Sequence, residues 1–250
     1  MKNILVTGAA EGIGKTIAQR LLETSDSLVI VIDKKSTAFV DECRAKHGAR
    51  FVFFKQDIAD RDGLGKMLDI IASKHKIDGI INNAGEVYLE KWDQLDLKTW
   101  DRTIAVNTTG PLQIVHRLRD ALRDGGAIVN IASTDGNVAA FDTVAYAASK
   151  AALISLTKSL AANLGPRRIR VNAVSPGWVA TEMTKDTLPE EAAALTPLGR
   201  NTLTTEVADL VMYLLSEQSS FVNAQVIEID GGLSTVDYIL KKEAENFTDQ

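Results

Sequence analysis

Ile4-Leu5-Val6-Thr7-Gly8-Ala9-Ala10-Glu11-Gly12-Ile13-Gly14 opens the chain with an apolar run that breaks into three closely spaced glycines. Residues 15–23 follow with Ile17, Ala18, Leu21 and Leu22 at helical spacing, so the segment reads strand, glycine-rich turn, helix. That order is the context a dinucleotide-binding loop needs. Gly8 permits the tight turn, and Gly12 lets the backbone approach a pyrophosphate. Gly14 lets the helix pack closely on the strand with its N-terminus toward the phosphates. The spacing is G-x-x-x-G-x-G, which departs from G-x-G-x-x-G, and glycines serving only a βα corner would give the same pattern.

Outward from this segment the alternation continues. Apolar strands are expected over 28–32, 51–54, 79–81, 127–132, 170–174 and 225–229, with helices over 64–72, 100–122, around Tyr146 and over 205–215. Alternating apolar strands and helices mean βαβ units and a parallel sheet covered on both faces. The expectation is therefore one Rossmann-like, doubly wound α/β domain over 1–250 with a seven-stranded parallel sheet. Residues 183–202 read as a substrate lid, and 233–250 as a C-terminal extension. In such sheets ligands bind beyond the carboxyl ends of the strands. Gly8, Asp33, Asp57, Asn83, Ser133 and Pro176 all fall there, which puts them on one rim.

Composition narrows the function classes. The 250 residues are 45% apolar and 24% charged, as in ordinary globular proteins. A net charge of −5 argues against nucleic acid or an anionic membrane as a partner. No apolar run approaches the roughly 18 residues that span a bilayer, and the start before Gly8 is too short for a signal peptide. Cys43 is a single cysteine, so a reducing cytoplasm is the expected location. His47, His75 and His116 are scattered, which argues against a metal site, and no G-x-S-x-G is present for a serine hydrolase.

Two features bear on chemistry. Asp33 ends the second strand, where an acidic residue accepts hydrogen bonds from an adenosine ribose; capping a helix that starts near Ser36 is the alternative. Lys34 and Lys35 beside it could instead meet a 2′-phosphate. In Tyr146-Ala147-Ala148-Ser149-Lys150 a phenol and an ammonium stand one helical turn apart. An ammonium within roughly 4–6 Å lowers a phenol's pKa from about 10, as proton transfer near neutral pH requires. A Tyr-x-x-x-Lys pair also arises by chance in many helices.

TGAAEGIG, NNAG, the Asn107 of AVNTTG, Ser133, YAASK and PGWVAT together resemble the short-chain dehydrogenase/reductase family, in order and spacing, over essentially the whole chain. The resemblance implies that Tyr146 is the catalytic acid/base, that Lys150 lowers its pKa and holds the nicotinamide ribose, and that Ser133 hydrogen-bonds the reacting oxygen. It implies that Asn107 interrupts its helix and holds a water linking Lys150 to solvent. Gly8, Glu11, Gly12, Ile13 and Gly14 would bind the cofactor. So would Asp57 and Ile58 at the adenine, Asn83 and Gly85 in the cleft, and Val179 and Thr181 at the carboxamide. The implied reaction is hydride transfer between a nicotinamide and a carbonyl or secondary alcohol.

NAD is the expected cofactor, because Asp33 and Glu11 would repel a 2′-phosphate. A 3-oxoacyl-carrier-protein reductase using NADPH is the nearest alternative, and a non-catalytic nucleotide-binding regulator a more distant one. Glu86, Asp135 and Trp178 on the rim point to a small polar, hydroxylated substrate, as do Lys185, Asp186, Glu190 and Glu191 in the lid. The Tyr146 helix carries Ala148, Ala152, Leu153, Leu156 and Leu160 on one face. Ala147, Ala151, Ile154 and Ala161, broken by Lys158, form a second, which together with the resemblance predicts a homotetramer or at least a dimer. Val236, Ile239 and Leu240 predict a short helix packed near the substrate entrance of its own or a neighbouring subunit, with 246–250 frayed. The chain departs from the family's commoner forms at Asn223-Ala224, where Thr-Gly is frequent, at Thr134-Asp135, and in the eighteen residues after Gly232.

Overall fold

A computed structural model describes residues 1–182, 184, 190–240 and 243, with Glu190 described by its backbone alone. Seven strands form one parallel sheet: β1 (Asn3–Thr7), β2 (Leu28–Asp33), β3 (Phe51–Lys55), β4 (Ile77–Asn82), β5 (Leu122–Ile131), β6 (Arg170–Pro176) and β7 (Val226–Ile229). Their spatial order is β3-β2-β1-β4-β5-β6-β7, so the order reverses between β1 and β4. The expected doubly wound α/β fold is the fold observed. Ligands bind where the order reverses, beyond the carboxyl ends of the strands.

The period-two side-chain alternation builds the core on both faces of the sheet. Ile4, Val6, Val29 and Val31 point to one face, against Ile17, Ala18 and Leu21 of α1 (Gly12–Thr24) and Val207, Val211 and Leu214 of α8 (Thr204–Leu215). Leu5, Ile30, Ile32 and Ile80 point to the other. They meet Leu64, Leu68 and Ile71 of α3 (Arg61–Lys74) and Ile114, Val115 and Leu118 of α5 (Gly110–Leu118). Each such fully buried aliphatic side chain stabilises the fold by about 1.5–3 kcal/mol. A polar chain also crosses the interior: Asn82 donates to Asn130 (2.8 Å), Asn130 to Thr157 (2.8 Å), and Thr157 to the Leu153 carbonyl (2.8 Å).

Three element readings need correction. The helix expected over 100–122 is α4 (Leu97–Ile104) joined to α5 by a five-residue π-turn, Ala105–Thr109, closed by a bond from the Gly110 N–H to the Ala105 carbonyl. β5 starts at Leu122, which pairs with Ile77. Gly125, at φ 79°, lies within this strand, whose register shifts between Ile77 and Gly79. The two apolar faces assigned to α6 (Val144–Leu164) merge, because Ile154 and Ala161 are buried along with Leu153 in the chain's own core. What stays uncovered is a strip including Ala151, Ser155 and Ser159.

The C-terminal reading holds in part. Residues 238–240 are helical; Ile239 and Leu240 are exposed on their own chain, which leaves packing against a neighbouring subunit as the remaining form of that expectation, and 246–250 lie outside the described residues. Of the segment 183–202 expected to be a lid, α7 (Glu190–Leu195) is described, whereas Lys185, Asp186 and the Glu190 side chain lie outside the described residues; Glu191 is exposed. Beyond α7, a side chain at Gly231 would meet Thr196 at 2.6 Å and one at Gly232 would meet Pro197 at 3.2 Å, so this segment rests on the turn after β7. At the other end of β7, Ala224 has φ 61°, in the left-handed region where glycine is favoured. Its methyl packs against the core under α3 and α5, which offsets the strain.

Candidate active site

The glycine loop is shaped by close approach. Gly8 (φ 65°) faces the Ala84 backbone, and a Cβ there would lie 2.6 Å from the Ala84 Cα. Gly14 has no unusual φ, yet a Cβ there would lie 2.2 Å from the Gly8 carbonyl and 2.4 Å from the Asn83 amide nitrogen. Gly14 thus serves the packing of the loop on the Asn83 turn as much as helix on strand. Asn83 donates to the carbonyls of Thr7 (3.0 Å) and Gly8 (2.8 Å), and the Thr7 hydroxyl accepts from the Asn83 and Ala84 N–H groups (3.0 Å each). Gly12 (φ 58°) has only Thr181 nearby, at 3.7 Å, so its backbone stays open to the cleft. A cradle from which side chains are excluded, at the N-terminus of α1, is what a dinucleotide pyrophosphate requires. The residues present fit that group.

The cleft has a volume of about 420 Å³ and runs along the carboxyl ends of β1 to β6. Gly8, Glu11, Gly12 and Ile13 line it from the first loop, and Asp33, Asp57 and Ile58 from the ends of β2 and β3. Asn83, Gly85 and Glu86 follow β4; Ser133, Tyr146 and Lys150 form the floor; Val179 and Thr181 close the far side. Four expected residues do not line it. Gly14 packs on Gly8 and Asn83, Asn107 is bonded to Glu86 and Ser149, the Asp135 N–H bonds the Ser133 hydroxyl, and Trp178 is 37% exposed.

Ser133, Tyr146 and Lys150 converge because β5 and α6 meet there. Lys150 is 3% exposed, donates to the Ile131 carbonyl (2.8 Å) and sits 5.4 Å from the centre of the Tyr146 ring. The start of α6 is tied to the π-turn. The Asn107 amide donates to the Ser149 hydroxyl (2.9 Å), Ser149 donates to the Tyr146 carbonyl (2.6 Å), and Thr108 donates to the Ser149 carbonyl (3.0 Å). Asn107 itself is wholly buried; it also donates to the Glu86 carbonyl and accepts from the Glu86 N–H, both at 2.9 Å. Its side chain positions neighbouring segments and does not reach the cleft.

The pKa expectation for the pair is corrected. Burial pushes the Tyr146 phenol up to about 12, against the lowering effect of Ser133, and the Asp135 charge pushes it further up. Burial also brings Lys150 down to about 8, partly offset by Asp135. Both groups lose their hydration, so desolvation outweighs the attraction that the sequence spacing implies. Burial and the Asp142 charge raise the Asp135 carboxyl in turn, while its N–H bonds the Ser133 hydroxyl (3.2 Å).

At the other end of the cleft, Asp33 accepts from the Ala10 N–H (2.9 Å) and the Lys35 N–H (2.9 Å) and caps no helix: α2 (Ala38–His47) begins five residues later. Lys35 is paired with Glu11 (2.8 Å) and Lys34 with Glu86. The guanidinium of Arg102 grips Glu86 with two bonds (2.6 and 2.8 Å) and Asp57 with a third (2.8 Å). Glu86 is therefore drawn into an ionic network and away from the substrate role expected of it. Burial opposes its ionisation, but bonds from Arg102, Lys34 and Tyr88 hold its pKa down to about 2. Arg102 escaped the sequence reading. The signal was its position four residues before Val106, one helical turn away on a face that also reaches the cleft.

Comparison with known proteins follows this geometry. A family model described as enoyl-(acyl carrier protein) reductase matches residues 8–234. The 3-oxoacyl-[acyl-carrier-protein] reductase of Thermotoga maritima is 37% identical over 243 residues, covering 93% of this chain and 97% of that protein. The NAD-dependent glycerol dehydrogenase of Listeria innocua is 36% identical over 239 residues, covering 92% and 93%. Among solved structures, a putative NAD(P)-dependent gluconate 5-dehydrogenase from Beutenbergia cavernae with bound NADP superimposes with a TM-score of 0.87 at 28% identity, covering 94% and 97%. The chain belongs to the short-chain dehydrogenase/reductase family and is an oxidoreductase of that family. Among the described residues no helix is long and apolar enough to cross a membrane.

The glycine geometry yields a test of the loop. Gly14→Ala should destabilise the protein by about 2–3 kcal/mol, because the added methyl overlaps backbone. Gly12→Ala should cost only about 1–2 kcal/mol, as backbone strain alone. Urea unfolding measures both; a Gly14→Ala protein no less stable than Gly12→Ala would contradict the packing described.

Proposed function

We propose that the chain transfers a hydride between NAD(H) and a secondary alcohol or ketone, with a small polar, hydroxylated substrate. The observation that carries the reaction class is the convergence of Ser133, Tyr146 and Lys150 on the floor of a cleft whose opposite wall is the glycine cradle. When bound there, the nicotinamide supplies the redox chemistry. Ser133 and Tyr146 aim their hydroxyls at the reacting oxygen, where negative charge develops during reduction. Tyr146, held protonated at neutral pH, donates its proton to that oxygen; in the oxidation direction the transfer runs in reverse and requires the phenol to have first given its own proton to solvent. Lys150 stands against the phenol and would hold the ribose of a bound nucleotide, and Asn107 holds α6 and the β4 loop in register around that site. Gly8, Glu11, Gly12, Ile13 and Gly14 form the pyrophosphate end, Asp57 and Ile58 the adenine end, and Asn83, Gly85, Val179 and Thr181 the walls between.

NAD is favoured over NADP by the pairing of charges. Asp33 offers its carboxylate at the end of β2, while Lys34 and Lys35 already have carboxylate partners. For the substrate, Asp135 is the remaining polar candidate, half-buried with its N–H bonded to the Ser133 hydroxyl. A specific observation favours the second reading, a 3-oxoacyl-carrier-protein reductase using NADPH. Leu89 and Trp92 on one loop, and Val138 and Phe141 on another, are all more than half exposed, and a bond from the Glu90 N–H to the Asp142 carbonyl (2.8 Å) joins the loops. Such an apolar lip suits an acyl chain better than a polyol. We further propose that copies of the chain assemble as a tetramer through the uncovered small-residue strip of α6.

Tyr146→Phe should lower kcat by about 10²–10⁴-fold while leaving nucleotide affinity within about twofold; near-normal turnover would end the assignment. Steady-state kcat/KM should be more than about tenfold higher with NADH than with NADPH, since a like charge beside a phosphate costs more than 1.4 kcal/mol. A polyol or sugar-like alcohol should outcompete a hydrophobic secondary alcohol of similar size and lose activity in Asp135→Ala. The reverse order, or better use of NADPH, selects the acyl-carrier reading. Light scattering should give about four times the 27.1 kDa chain mass, and a monomer mass would refute assembly.

A further inference from the structure

We propose that Glu86 determines cofactor selectivity by neutralising the Lys34 ammonium in an ion pair at the adenosine end of the cleft. This rests on the reading of the cleft as a nicotinamide dinucleotide site. Lys34 directly follows Asp33, at the strand end where dinucleotide folds meet the adenosine ribose or its 2′-phosphate. A lysine free to move there would attract the phosphate. This one is instead bonded to Glu86, fifty-two residues away on the β4 loop.

Glu86 is an unusually fixed partner. Its side chain is only 11% exposed. The Arg102 fork grips both carboxylate oxygens, and Asp57 anchors the fork from the other side. Tyr88 adds a hydroxyl bond at 3.0 Å. The backbone of Glu86 is pinned by both polar atoms of the buried Asn107. An ordinary surface ion pair contributes little because both side chains must be ordered to make it. Here one partner is already ordered, so only the lysine loses freedom. The Lys35–Glu11 pair lacks this support, since both side chains are about half exposed (55% and 40%). Control of the local charge therefore falls mainly to Glu86.

Glu86→Gln keeps the shape and removes the charge. The readout is calorimetric affinity for adenosine 2′,5′-bisphosphate relative to AMP, which needs neither substrate nor turnover. In Glu86→Gln the ratio should move toward the bisphosphate by about fivefold or more, the effect of one unpaired ammonium near a phosphate in water. Adding Lys34→Gln should cancel that gain. A structural role alone would weaken both nucleotides together and leave the ratio unmoved, which overturns the proposal. So does a gain that survives loss of Lys34. If Glu86→Gln does not fold, Lys34→Gln in the otherwise native chain decides. A ratio within about threefold of wild type supports a lysine already neutralised, and a fall of tenfold or more toward AMP refutes it. Should wild type itself prefer the bisphosphate, the NAD reading fails, while the change on Glu86→Gln still judges this inference.

Discussion

The cleft depends on how one buried amide is satisfied. Asn107 has no solvent exposure, and an unpaired amide in that position would cost on the order of 1–3 kcal/mol. The extra residue of the π-turn rotates it inward, where it takes the N–H and carbonyl of Glu86 and the hydroxyl of Ser149. Those bonds set the spacing between the loop after β4 and the first turns of α6. Gly85 is held so close that a Cβ there would lie 3.5 Å from both the Asn107 oxygen and the Lys150 nitrogen. Changing the helix geometry at the π-turn would therefore move Lys150 and Glu86 together. π-turns inside helices recur at functional sites for this kind of reason.

Electrostatics inside the cleft follow burial more than sequence spacing. Tyr146 and Lys150 are one turn apart, and the expectation of a lowered phenol pKa treats the ammonium as an intact charge. In the folded chain the ammonium is itself desolvated, and its bond to the Ile131 carbonyl fixes it over the Tyr146 ring, 5.4 Å from the ring centre. Asp135 works against phenol ionisation from the other side. The pair thus holds its proton at neutral pH, the form that can protonate a carbonyl oxygen.

Much of this was legible in the residues. Alternating apolar strands gave the sheet, its parallel sense and the rim, because strand ends in such a sheet fall together regardless of loop detail. Side-chain direction was not legible. After β6 the chain bends at Trp178 and Val179 bridges to Thr202, which separates two neighbouring side chains: Trp178 is 37% exposed and does not line the cleft, whereas Val179 is 4% exposed and does. Nor could the register shift that starts β5 at Leu122 be read, since Gly125-Gly126 looks like any turn. Arg102 carries no motif, and its partners Asp57 and Glu86 come from two other loops.

That last point changes how basic residues beside Asp33 should be read. By residue type, Lys34-Lys35 after a strand-end aspartate is ambiguous between a ribose hydroxyl and a phosphate. Pairing favours the ribose hydroxyl. Around this end of the cleft Glu11, Asp33, Asp57 and Glu86 face Lys34, Lys35 and Arg102, and each of those cations is bonded to a carboxylate other than Asp33. Asp33 has its bonds from main-chain N–H groups, which orient a carboxylate without neutralising its charge. The acidic group left facing a ligand is therefore the one suited to accept from hydroxyls. Charge recognition here is a property of the network that links β2, β3, β4 and α4, and a count of lysines misses it.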